Sequence, residues 1–203
     1  MTAKDKLEEA WFFLKRMRST DLLSLEFKFY VSACASAMYG SIGHLLYDYA
    51  KKYWHTLDPS DFLDARYFLL LAKTTNQPKA LQFVQWYNEL PARIRSNPDA
   101  SEVWRIRHID THRGSPGLNF VVEIFEPLDV TDRLQYGVMR PSGTFEPSGS
   151  SPPTIQQINA VPNSSVAVFL CGYESKQVSD VFGSAWDFLK SVVDEAEQRF
   201  GST

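Results

Sequence analysis

Residues 31–43, VSACASAMYGSIG, constrain the fold more than any other stretch of this chain. Ser32, Ala33, Ala35, Ser36, Ala37, Gly40, Ser41 and Gly43 fall within one run that sits between apolar, helix-compatible flanks. Side chains this small let another helix approach closely, so the segment is expected to form the centre of a helical bundle. Gly40 and Gly43 lower helix propensity, which points to a packing reason for keeping them.

The neighbouring sequence extends that reading. From Leu7, the residues Trp11, Leu14 and Met17 recur at spacings of three and four, one stripe of an amphipathic helix. Ser19, Thr20 and Asp21 offer capping oxygens for the small-residue helix, which is expected to run towards Tyr53. Asp58-Pro59-Ser60-Asp61 is a second start signal, followed by a short, very apolar helix from Phe62 to Lys73 that should be buried. A further helix begins near Pro78 and is expected to break at Pro91. Asn97-Pro98-Asp99 opens another that reaches about Arg113, where Gly114-Ser115-Pro116-Gly117 stops it.

Beyond Gly117 the pattern becomes β-like. Phe120–Phe125, Arg133–Met139 and Ser165–Tyr173 read as strands, and Pro141 to Pro153 as a flexible Pro/Gly/Ser loop. Val178, Val181, Phe182, Ala185, Leu189, Val192, Val193, Ala196 and Phe200 then keep a helical period that needs the N-terminal bundle as its partner. The fold expected is mostly α (α+β): one domain over 1–203, with a bundle at 1–113, an antiparallel β excursion at 114–175 and a returning helix at 176–203.

Composition narrows the function. The net charge of −3 argues against non-specific coating of nucleic acid and leaves room for a local basic site. Cys34 and Cys171 make neither a disulfide framework nor a zinc pattern. No leader or spanning segment stands out, so the reading is a cytoplasmic protein with no membrane partner. There is no glycine-rich phosphate loop, dinucleotide fingerprint or GxSxG elbow, and no cofactor is expected.

The chemistry-bearing stretch is Trp104 to Arg113, with three arginines, two histidines and an aspartate. All seven positive residues between Gln82 and Ser175 are arginines, whose planar fork suits phosphate. His44 reads instead as a core or helix-surface histidine and His55 as a helix-end one, while Trp86, Tyr87 and Trp104 could stack bases but at helical spacing are more often core. As a metal site, His108 and His112 share a helical face with Asp110 nearby, but Ile109 stands where a zinc protease needs glutamate and the arginines oppose a bound cation. A second reading is a solvated helix face, with Asp110 offsetting Arg105, Arg107 and Arg113.

A third reading is a family resemblance. Arg107-His108-Ile109-Asp110-Thr111-His112 has the pattern of Arg, a polar residue, three variable residues and His. With Glu26–Ala33 and the following AMYGSIGHLL, it resembles the HEPN superfamily (higher eukaryote and prokaryote nucleotide-binding domains) over roughly residues 5–113. The resemblance implies a bundle that dimerises so that two Arg…His motifs face one cleft. It implies a metal-independent endoribonuclease acting as a toxin or antiphage effector, or else a non-catalytic module that binds nucleotide, RNA or protein. RNA or nucleotide, a second copy and an antitoxin or other protein are the partners it suggests; DNA is not. Arg107 would hold the phosphate and His112 would move the proton, with His108 as an auxiliary donor or acid and Arg105, Arg113 and Asp110 beside the substrate. On an ideal helix Arg107 and His112 stand about 140° apart, so the dimer would have to complete the site.

Overall fold

Thr2 and Asp5 begin α1 (Ala3–Ser19) with a reciprocal cap: the Asp5 N–H donates to Thr2 Oγ1 at 3.1 Å, and the Thr2 N–H to Asp5 Oδ2 at 2.6 Å. Leu7, Ala10, Leu14 and Met17 form its buried stripe. At its other end the hydroxyls of Ser19 and Thr20 both donate to the Arg16 carbonyl. They therefore close α1 rather than open the next helix, contrary to the sequence expectation. Ser24 is the cap of α2 (Leu25–Tyr53), its Oγ accepting from the Phe27 N–H at 3.1 Å.

In this computed structural model the residues described are 1–22, 24–54, 64–113, 118–124, 137–139, 145–147, 164–170 and 173–201, with side chains described outside 109–175. Among them are six helices and five strands.

The small-residue helix is the centre of the bundle, as expected: α2 packs on α1, α5 and the C-terminal helix, and touches α3. The approach to α1 is close enough for the Cys34 thiol to donate to the Ala10 carbonyl at 3.2 Å. A Cβ on Gly40 would meet the Lys6 stem at 3.3 Å, which supplies its packing reason. Gly43 differs from the expectation, because a Cβ there would meet nothing within 4 Å.

Helix α3 (Ala65–Thr74) starts at Asp64, whose Oδ1 accepts from the Tyr67 N–H at 2.7 Å; the Asp58–Asp61 start signal lies outside the described residues. Only Phe68 and Ala72 of α3 are buried, while Tyr67 and Leu70 are exposed, so this helix is half-covered rather than enclosed. Its one buried ridge packs on α4 and, through Phe68, on Tyr53 and Trp54 at the end of α2, and a single ridge cannot cover every apolar residue of the run Phe68–Leu71.

Helix α4 (Pro78–Ser96) passes through Pro91 instead of ending there. Leu90 and Ile94, both buried, anchor the helix on either side of the proline, and this burial offsets the lost backbone bond. Helix α5 (Pro98–Arg113) begins where Asn97-Pro98-Asp99 predicts, with Asn97 Oδ1 accepting from the Ala100 N–H at 2.9 Å. Tyr49 stacks on Phe83 at 4.3 Å, and Phe68, Trp86 and Phe200 close around the same ring. Burying each such ring contributes about 1.5–3 kcal/mol.

The β excursion is one antiparallel sheet of β1 (Leu118–Ile124), β2 (Gly137–Met139), β3 (Phe145–Pro147), β4 (Ser164–Leu170) and β5 (Tyr173–Gln177), ordered β3-β2-β1-β4-β5. β1 pairs with β4 from Leu118↔Leu170 to Ile124↔Ser164. β3 lies inside the stretch that the sequence reads as loop, where its pairing to β2 (Val138↔Glu146) outweighs a composition dense in proline and glycine. Lys176 donates to the buried Asp99 at 2.7 Å, tying the residue before the end of β5 to the first turn of α5. α6 (Val178–Phe200) then returns along the bundle with the predicted stripe buried. The result is mostly α, a bundle with a small antiparallel sheet before its last helix.

Candidate functional site

Helix α5 has two unlike sides. Ala100, Val103 and Ile106 are fully buried, so they fix the rotation of the helix and turn Arg107 and His108 outward, where both are exposed. The Arg107 guanidinium lies over the Tyr39 ring at 5.9 Å. Tyr39 is itself held in place: its phenol donates to the Ala100 carbonyl at 2.8 Å and its ring packs on Trp104 at 5.2 Å. Burial pushes the Tyr39 phenol well above its ordinary range, with the Arg107 charge pulling the other way. Tyr39 is therefore a neutral donor at any physiological pH, and α2 supplies a rigid aromatic seat for Arg107.

The other residues of the cluster have different surroundings. Arg105 Nε donates to both oxygens of Glu102, at 2.6 and 3.1 Å, one turn back on its own helix. That pairing accounts for part of its charge structurally. Asp110, Thr111, His112 and Arg113 continue the backbone of α5, and their side chains lie outside the described residues. Helical geometry puts His112 on the same face as His108 and about 7.5 Å along the axis from Arg107.

The wider arginine bias divides. Arg93 is engaged by Glu195 at 2.6 Å, whereas Arg133 and Arg140 lie outside the described residues. No group of three or more histidine, cysteine or acidic side chains among the described residues is arranged to hold a metal. Cys34 is buried, with its thiol pushed far up by desolvation, which makes it an inert packing residue. His44 is half-buried with Nδ1 unpartnered, and His55 and Cys171 lie outside the described residues. Among the described residues, no helix is long and apolar enough to cross a membrane.

A cavity of about 490 Å³ lies elsewhere, between the start of α1, the second half of α2 and the end of α6. Its charges answer one another. Lys4 pairs with Glu197 at 2.6 Å, the Ala3 N–H donates to Asp48 at 2.7 Å, and Lys52 donates to the carbonyls of Phe200 and Gly201.

One feature escapes a reading based on motifs. Phe12 and Phe29 are 47% and 60% exposed, on the outer sides of α1 and α2. The signal available was that Phe12 stands opposite the Leu7–Leu14 stripe, at a position where an amphipathic helix ordinarily carries a polar residue. Comparison with protein-family models, curated proteins and solved structures finds no match for this chain.

Proposed function

We propose that this protein is a metal-independent, HEPN-like endoribonuclease whose site is built on the last two turns of α5. One observation carries the reading: Arg107 and His108 face solvent side by side, on a helix whose opposite face is locked into the core. Arg107 is also pre-positioned over Tyr39, so a cation waits at a fixed place on the surface.

The chemistry follows from the residue types. A base removes the proton of the ribose 2′-OH, the 2′-oxygen attacks the adjacent phosphorus, and the 5′-oxygen leaves with a proton from an acid. The products are a 2′,3′-cyclic phosphate and a 5′-hydroxyl, with no metal or co-reactant needed. Histidine titrates near neutrality and serves either proton step, which assigns His112 to proton transfer and His108 to the second proton or a hydrogen bond. Arg107 stabilises the charge that develops on the phosphoryl oxygens. A second copy of the chain completes the cleft by bringing another Arg107–His112 pair to face the first.

The test is cleavage of labelled RNA in EDTA by wild type, Arg107→Ala, His112→Ala and, as a surface control, Lys190→Ala. Cleavage that survives EDTA and Lys190→Ala but falls by about 10²-fold or more in the other two variants is the expected result. If wild type leaves several RNAs intact between about pH 6 and 8, catalysis is excluded and the cluster becomes a nucleotide- or RNA-binding one.

A further inference from the structure

We infer that the outer face of α1, with the first turns of α2, is a docking platform for single-stranded RNA, distinct from the α5 cluster. On α1 the buried stripe Leu7, Ala10, Leu14 and Met17 defines the core direction, and Phe12 projects about 180° away from it. No packing need within the chain places an aromatic ring there. Phe12 meets Phe13 at 5.5 Å, Phe13 meets Phe29 at 6.3 Å, and Phe29 meets Tyr30 at 5.6 Å, so the rings run as a connected row from one helix to the next.

Cations flank these rings. Arg16 lies over Phe12 at 5.3 Å, and Lys15, three residues on from Phe12, leans over Trp11 at 6.0 Å. Arg18 belongs to the other side of α1, where Trp11 packs on Trp186 at 4.8 Å and a Cβ on Gly183 would meet the Arg18 guanidinium at 2.8 Å. Neither Lys15 nor Arg16 is ion-paired with an acid among the described residues, and no acidic residue occurs from Ala10 to Thr20. With Asp21 and Glu26 included, the stretch from Ala10 to Phe29 still carries +2 inside a chain of −3. Exposed rings beside unpaired cations fit a ligand that has both planar faces and a regular negative charge. Unstacked bases on a phosphodiester backbone meet that description.

A lipid surface fits less well, because α1 keeps its apolar stripe in the core and leaves Phe12, Leu25 and Phe29 as the exposed large apolar side chains of this face, too few to seat a helix in a bilayer interface. A second copy of this chain fits less well too, since it would bring Lys15 and Arg16 of both copies against one another across a two-fold axis. Along α2, Tyr39 lies ten residues beyond Phe29, about 15 Å further along the axis, and Arg107 rests on Tyr39. A strand held on the platform thus has only a few nucleotides to span before reaching α5. The choice of RNA as the polyanion rests on the reading of α5 as a ribonuclease site, whereas the platform stands on α1 and α2.

The experiment is fluorescence anisotropy with a labelled oligouridylate of about twelve nucleotides, in EDTA. It uses the full chain carrying His112→Ala so that the probe stays intact. Against that background, Phe12→Ala with Phe29→Ala is expected to weaken binding by about tenfold per ring. Lys15→Gln with Arg16→Gln, which leaves the rings in place, is expected to lower the slope of log affinity against log salt by about 1.4. Unchanged circular dichroism spectra verify that both pairs are folded. Affinity within twofold of the parent for both pairs overturns the platform, as does the absence of oligouridylate binding by the parent at low salt. Loss of anionic phosphatidylserine vesicle binding or of dimerisation, with RNA affinity unmoved, also overturns it by assigning the face to lipid or to a second copy. Binding at the platform without cleavage by wild type defeats the nuclease reading alone. Cleavage with platform variants binding normally defeats the platform alone.

Discussion

Where α4 meets α6, Glu195 gathers three donors: Trp86 Nε1 at 2.7 Å, Arg93 at 2.6 Å and Arg199 at 2.9 Å. On the outer side of α1, Lys15 and Arg16 have aromatic rings beneath them and no acid paired with them among the described residues. The first set of cations is committed to holding two helices together. The second adds little to holding the fold, which leaves its charge available to something outside the chain. Arginine content alone does not separate the two cases; the separation comes from where the carboxylates are.

The sharpest break of this comparison is Glu195→Ala. It leaves two guanidinium groups and an indole N–H without their acceptor, and is expected to destabilise the protein by about 1.5–3 kcal/mol in urea denaturation. A loss under about 0.5 kcal/mol would show the junction to be as uncommitted as the α1 face.

Next in size is the pH dependence of that junction. Burial pushes the Glu195 carboxyl up, but the hydrogen bonds from Arg93, Arg199 and Trp86, with the Arg93 charge, outweigh it and hold the group below its ordinary value. A depressed carboxyl stabilises the fold fully above the unfolded value of about 4.3, and that stabilisation is lost as pH falls through the lower folded value. Asp48 acts in the opposite sense, because desolvation raises it against the Ala3 hydrogen bond, so acid relieves a cost there. The gap between wild type and Glu195→Gln should therefore be largest near pH 6–7 and shrink below about pH 4.3, whatever the total stability does. A gap that widens in acid contradicts the assignment.

The smallest effect belongs to the α1 face. Lys15→Gln with Arg16→Gln is expected to change stability by less than about 1 kcal/mol, the range of exposed cation–π pairs. A larger loss in thermal unfolding would make these cations structural and bring the two regions into line.

Much of the fold was legible in local sequence. The Leu7–Met17 stripe, the Asn97 start and the nine-residue stripe of α6 are periodic or capping signals that the backbone obeys directly. Pro91 misleads because its local penalty is offset by the burial of Leu90 and Ile94, which only the folded bundle supplies. Ser19 and Thr20 mislead because hydroxyls serve either end of a helix, and here they bond backwards to Arg16. At the candidate site the sequence singled out Arg107 and His112 as the working pair with His108 as an auxiliary; Arg107 and His108 are exposed, and the His112 side chain lies outside the described residues. The sequence held no sign of the Tyr39 seat, which lies 68 residues away and exists only once α2 and α5 pack.

The β excursion separates α6 from the rest of the bundle by roughly 60 residues, yet α6 covers α1 so closely that Trp186 Nε1 donates to the Leu7 carbonyl at 2.9 Å. During synthesis at about 5–20 residues per second, α1 to α5 would emerge several seconds before their last partner. For that interval Leu7, Ala10 and the neighbouring core positions lie open on a nascent chain whose outer α1 face is already cationic. Arrival of α6 ends that exposure by covering the side of α1 turned towards it.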